Sequence, residues 1–234
     1  TSEKLPNTPV VYNFAPLREA VVEIRFPGNP AIECHRDILF EKIKAEFPDV
    51  SAPTPPVPLP PYRFTSVDGK RSVISSINML AYTTQTYNHF FEFRDRVIPL
   101  AKFFTETFHI TSLKRFGMRY VNKFPIAKEG LTLPFKSLLN VDFSFPAATG
   151  KDFSDFAFAG ERKIGQWAMT TRIQGAKENN QDLVVLDLDY YVNENLLAAD
   201  FSKHLEEGHK NIKLFFEAMV ADSYKKVMRG EVLK

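Results

Sequence analysis

Two stretches of this chain sort their residues by parity, and that sorting restricts what the chain can fold into. In Lys114–Lys123, every second residue from Arg115 gives Arg115, Gly117, Arg119, Val121 and Lys123, while Phe116, Met118, Tyr120 and the following Phe124 have the other parity. Side chains on a strand alternate between faces, so this segment is a strand with one core-forming face and one cationic face. Leu183–Val192 repeats the pattern with opposite charge. Val184, Leu186, Leu188, Tyr190 and Val192 share one face; Val185, Asp187, Asp189 and Tyr191 share the other. If the two strands are neighbours, Arg115 and Arg119 lie beside Asp187 and Asp189 on one exposed face.

The remaining punctuation divides the chain into recognisable elements. Ala20, Val22, Ile24 and Phe26 alternate with Val21, Glu23 and Arg25 as a first half-buried strand. Asn29 and Pro30 then suit the cap and first position of a helix that Pro48 stops. The proline run 53–61 favours a polyproline II spacer, stiff and unable to enter a sheet. A hairpin over Tyr62–Ser66 and Ser72–Thr83 is expected around Asp68-Gly69. A helix over Tyr87–Phe108 follows, with Pro99 expected to kink or split it. After the basic strand come a short helix over Pro134–Leu139 and a short strand over Val141–Phe145. A meander over Phe153–Ala159, Gln166–Gln174 and Leu183–Val192 leads to one long helix from Asp200 to Gly230. The class is therefore α+β: a mainly antiparallel sheet packed by three main helices in a single domain. Its order also allows two ferredoxin-like or βαββ-type halves, about 17–109 and 110–234.

Composition weighs against several classes of function. The formal net charge of +2 gives no basic footprint for nucleic acid. Dividing the chain after Gly117 leaves 14 cations and 12 anions before it and 16 of each after it. No apolar run reaches the length of a membrane span, and no signal-peptide pattern is present, so a cytoplasmic location is expected. A single cysteine, Cys34, permits no intrachain disulfide. The outlier is phenylalanine, 22 residues against one tryptophan. Phe supplies large buried area with no polar atom to satisfy, so it fills either a closed core or the walls of an apolar cavity.

No motif names a reaction, and no cofactor, catalytic or metal-ligating set emerges. His204 and His209 are five apart, whereas a zinc-binding pair on a helix is spaced four apart, so both read as surface histidines. Cys34 and His35 diverge by about 100° on a helix and make a poor nucleophile–base pair. The candidate ligand-binding residues are Arg115, Arg119, Asn122, Lys123, Asp187 and Asp189. The cations suit a phosphate or carboxylate; Asp187 and Asp189 suit a hydrated divalent cation or a general base.

Several short motifs in order resemble one family. They are Asn13-Phe14-Ala15-Pro16-Leu17 with Glu19-Ala20-Val21-Val22-Glu23-Ile24-Arg25-Phe26, Tyr87 with Phe90 to Phe93, and Arg119-Tyr120-Val121-Asn122. Asp187-Leu188-Asp189-Tyr190 and the helix from His209 to Phe216 complete the set. Together they resemble a sporadically distributed family of uncharacterised bacterial and archaeal proteins of about this length. Phe90-Phe91 departs from the Trp expected there. The resemblance implies no established activity, cofactor or catalytic residue. It suggests an accessory role, in defence or toxin–antitoxin-like systems.

Three functions follow as expectations. The first is a non-catalytic binding module for a protein partner or small anionic ligand. The second is a small-molecule binder with an aromatic cavity between sheet and helices. The third is a metal-assisted hydrolase or nuclease using Asp187 and Asp189.

Overall fold

The computed structural model describes residues 12–51, 61–126, 135–141 and 156–231. The first half runs β1 (Leu17–Arg25), α1 (Ala31–Cys34), α2 (Arg36–Ile43), β2 (Asp49–Ser51), β3 (Tyr62–Thr65), β4 (Arg71–Ser76), β5 (Met79–Thr84) and α3 (Phe90–Thr107). The second runs β6 (Ser112–Leu113), β7 (Arg115–Ile126), α4 (Phe135–Leu138), β8 (Ala157–Ile164), β9 (Trp167–Glu178), β10 (Gln181–Val192) and β11 (Leu196–Leu197). It ends with α5 (Phe201–Met219) and α6 (Asp222–Met228). Among the described residues, nine strands form one sheet in the order β2-β3-β4-β5-β1-β7-β10-β9-β8, every pairing antiparallel. Outward from the central β1–β7 pair, the order reads β5, β4, β3 on one side and β10, β9, β8 on the other. The fold is α+β with a large antiparallel sheet.

Register shows why the two faces differ. Directly opposed residues point the same way, so a row of partners across the sheet samples one face. The row Phe64, Val73, Tyr82, Val22, Met118, Tyr190 and Met169 crosses seven strands, and all seven residues are buried. The adjacent row reads Ser72, Thr83, Val21, Arg119, Asp189, Thr170 and Glu161. Aromatic contacts place the helices on the first face. Phe40 of α2 stacks on Phe64, Phe93 of α3 meets Tyr82, Phe201 of α5 meets Phe116, and Tyr224 of α6 meets Phe124. The Phe-rich composition therefore fills a core between one sheet face and the helices. Among the described residues, no helix is seen to pack on the charged face.

Several expected elements are subdivided. The first helix breaks at His35 (φ −126°, ψ 42°) into α1 and α2. The run Ser72–Thr83 is two strands, turned at Ile77-Asn78 with Phe26 and Asn29 bonding to that turn. Pro99 does not split α3, whose buried Phe93, Val97, Ala101 and Phe104 anchor the helix on both sides of it. The C-terminal helix stops at Met219 because Val220 turns extended and bridges Leu139. The Asn140 amide donates to the Met219 carbonyl at 2.7 Å, and Ala221 donates to Leu138 at 2.9 Å. β8 lies later than the expected Phe153–Ala159. The proline run, apart from Pro61, and most of the Val141–Phe145 strand lie outside the described residues.

Candidate functional site

The basic and acidic strands are neighbours, β7 beside β10. The directly opposed pair is Arg119 and Asp189, yet the strongest contact is diagonal. Arg119 donates from Nε to Oδ1 of Asp187 at 2.7 Å and from Nη2 to Oδ2 at 2.9 Å. Arg172 of β9 adds a third bond to Asp187 Oδ2 at 3.2 Å. Asp187 is 4% exposed, so its carboxylate is enclosed between two guanidinium groups. That bidentate geometry is the one Arg provides and Lys cannot.

Arg115 folds back over its own strand. Its Nη1 donates to Glu23 Oε1 on β1 at 2.9 Å, its Nη2 lies 3.8 Å from Asp189, and its guanidinium sits 5.1 Å from the Tyr191 ring centre. A Cβ at Gly117 would lie 2.4 Å from Arg115 Nη1, so the glycine vacates the space the guanidinium occupies. Burial raises the Asp189 carboxyl above its ordinary pKa, with the Arg115 charge opposing that shift. Lys123 bonds Glu178 at 2.8 Å. Each candidate cation of this face thus has an acidic partner. A phosphate, carboxylate or divalent cation binding here would have to break a pair already made.

Asn122 does not join this cluster. Its parity places it with Tyr120 and Phe124 on the helix side, where it is 3% exposed and donates to the Leu186 carbonyl at 3.2 Å. There it lines a groove of about 1220 Å³ between the start of α3, the length of α5 and β7, to which Tyr12, Ala15, Pro16 and Leu17 also contribute. Leu17, Phe90, Phe91, Ile212 and Phe216 supply apolar wall. The charged lining is balanced in sign: Arg94, Lys203, Lys210 and Lys213 against Asp200, Glu206, Glu207 and Glu217. Tyr12 fixes one end by donating to both Glu217 oxygens at 2.9 and 2.8 Å.

Three polar side chains of the groove wall form one hydrogen-bonded chain. The Tyr87 and Tyr120 hydroxyls lie 3.0 Å apart, and the Tyr120 hydroxyl lies 3.0 Å from Nδ1 of His209. Phe90 stacks on the imidazole at 3.9 Å and 4°. Burial pushes Tyr87 up to about 12, drives Tyr120 well above its ordinary value and, with Lys213 adding to it, lowers His209 to about 4. All three are uncharged at neutral pH. His209 is therefore not a surface histidine, and it does not pair with His204, which packs on Phe116 instead. One signal was present in the sequence: Leu205, His209, Ile212 and Phe216 follow helical spacing, which puts His209 on the buried stripe.

The described residues include no cluster of three or more His, Cys, Asp or Glu fit to hold a metal ion. Cys34 is exposed. No helix among them is long and apolar enough to cross a membrane. No protein-family model matches the chain, and no curated protein matches it either.

Proposed function

We propose that the chain is a non-catalytic binding protein whose ligand is a small, largely apolar molecule held in the groove between α3, α5 and β7. One observation carries this reading: an open groove of about 1220 Å³ whose wall includes Phe90, Phe91 and Phe216, with the Tyr87–Tyr120–His209 chain set into it and the charged lining residues balanced in sign. Ligand sites are concave, mostly apolar and of about 300–1,000 Å³, with a few placed polar groups for orientation. The anionic-ligand or protein-partner reading of the charged face stands second, because Arg115, Arg119 and Lys123 already spend their charge on Glu23, Asp187 and Glu178. The metal-assisted reading falls behind both, since Asp187 faces two arginines.

On this proposal the mirrored strand order reflects two βαββ-type halves, about 17–109 and 110–234, with the ligand held beside their shared seam. The resemblance to the sporadically distributed bacterial and archaeal family adds an accessory, cytoplasmic role to the same proposal. The test is titration with the uncharged dye N-phenyl-1-naphthylamine. Saturable binding at one site per chain is expected, lost in a Ser202→Trp variant that fills the groove from α5. Binding that neither saturates nor responds to Ser202→Trp would remove the reading.

A further inference from the structure

The groove needs something to orient what it holds, and the Tyr87–Tyr120–His209 chain is placed to do so. A neutral imidazole carries one donor and one acceptor nitrogen, and a phenol can donate and accept at once. Two arrangements satisfy both 3.0 Å contacts. In one, His209 Nδ1 accepts from Tyr120, Tyr120 accepts from Tyr87, and Tyr87 presents lone pairs. In the other, Nδ1–H donates to Tyr120, Tyr120 donates to Tyr87, and the Tyr87 proton is free to donate outward. One tautomer change at His209 converts the first into the second.

We infer that Tyr87, backed by Tyr120 and His209, anchors an uncharged oxygen, a carbonyl or a hydroxyl, at one end of an otherwise apolar ligand. This rests on the groove being the binding site. The reversible chain suits both oxygen types, since it offers a donor to a carbonyl and either partner to a hydroxyl. A charged end group is disfavoured for two reasons. The groove's charged lining is balanced in sign, so it supplies no net counter-charge. The chain lies where burial already keeps three titratable groups neutral, and a full charge there loses its hydration, with Lys213, whose charge reaches His209, the nearby lining cation an anion would have to draw on. Tyr87 also touches a second, smaller cleft lined by Arg71, Glu92 and Arg96, so its ring forms part of the wall between a polar and an apolar space.

The experiment uses four probes with one body: biphenyl, 4-acetylbiphenyl, 4-phenylphenol and biphenyl-4-carboxylate, each competing with bound N-phenyl-1-naphthylamine at neutral pH. The ketone and the phenol are expected to bind roughly three- to tenfold more tightly than biphenyl, the range one net hydrogen bond gives. Tyr87→Phe keeps the ring, and its fold is checked by its melting curve. It should erase that preference, bringing the affinities of ketone, phenol and biphenyl level. Tyr120→Phe leaves the Tyr87 hydroxyl without its backing and should reduce the preference without abolishing it. Tightest binding by the carboxylate overturns the inference, as does an unchanged preference in Tyr87→Phe. If biphenyl binds but all four are equal, the anchor is wrong and the groove stands. If none displaces the dye, the groove reading fails and the anchor falls with it.

Discussion

Arg119 bonds Asp187 with both prongs of its guanidinium although Asp189, not Asp187, is its directly opposed partner on β10. The diagonal choice leaves Asp189 to Arg115 and lets Arg172 reach Asp187 from the other side. Two arginines thus share one enclosed carboxylate, and each can cover for the other.

That redundancy gives a double-mutant prediction. Arg119→Ala or Arg172→Ala alone should cost about 1–2 kcal/mol, because one guanidinium still faces Asp187. Removing both strands the carboxylate, and a buried charge without its partner costs about 3–5 kcal/mol. Urea unfolding of the four variants should show the double exceeding the sum of the singles. Simple additivity would mean the two arginines act on separate groups.

Gly117→Ala tests the seat of Arg115. The new Cβ meets the far end of a flexible side chain, so the guanidinium can swing away at a stability cost of about 1 kcal/mol or less. The loss appears elsewhere. Without the opposing Arg115 charge, the already raised Asp189 carboxyl should titrate higher still, followed by carboxyl NMR. An Asp189 titration unchanged by Gly117→Ala would show that Arg115 holds its place by another route.

Gly208 presents the opposite case. A Cβ there would lie 3.1 Å from Tyr190 Cδ1 and 3.3 Å from Met118 Sδ, both side chains fully packed under α5. Ala is favoured over Gly within a helix by about 1 kcal/mol, but overpacking a tight core costs about 1–3 kcal/mol. Gly208→Ala should therefore lower the melting temperature despite its better helix propensity. A rise would mean the contact between α5 and the sheet can relax.

His209 makes stability depend on pH in a defined window. Its pKa falls from the ordinary 6.5 to about 4 in the fold because burial penalises the charged ring. Between those values the unfolded chain holds more proton than the folded one, so stability increases with pH through the window. On acidification the contribution starts to disappear near 6.5 and is fully lost below about 4, amounting to about 3 kcal/mol. Comparing urea midpoints for the wild type and His209→Phe isolates it from the carboxylates. The variant should lose less stability from pH 6.5 to 4; parallel curves would refute the shift.

Much of the sheet was legible because parity is a local signal. Arg115 to Phe124 and Leu183 to Val192 declare their faces without reference to anything distant, and the charge match predicted their adjacency. Asn122 was misplaced where that logic was set aside: grouped with the cations by sequence proximity, it belongs by parity with Tyr120. An aromatic cavity between sheet and helices was among the expectations, but the residues of the groove were not legible. Tyr87, Tyr120 and His209 come from a loop, a strand and a helix, and each alone reads as a packed aromatic or a helix residue. Their meeting depends on how α3 and α5 lie over β7, which no periodicity within one element encodes. The helix breaks at His35 and Val220 were hidden for the same reason, since Val220 turns extended to bridge Leu139, about 80 positions earlier.

The position of β1 at the centre of the sheet has a consequence for how the chain acquires its structure. It leads the described elements from the N-terminus, yet its two neighbours are β5 and β7, the latter pairing Arg25 with Arg115 and Ala20 with Tyr120. β5 precedes β7 along the chain, so during synthesis it is available first to cover one edge. The other edge, with Val21 and Glu23 on its outward face, stays open until more than a hundred residues have left the ribosome. An open edge of that kind is a template for pairing with other chains. Alternate charges along β1, at Glu19, Glu23 and Arg25, are the sort of residues that keep such an edge from being taken by the wrong strand before β7 arrives.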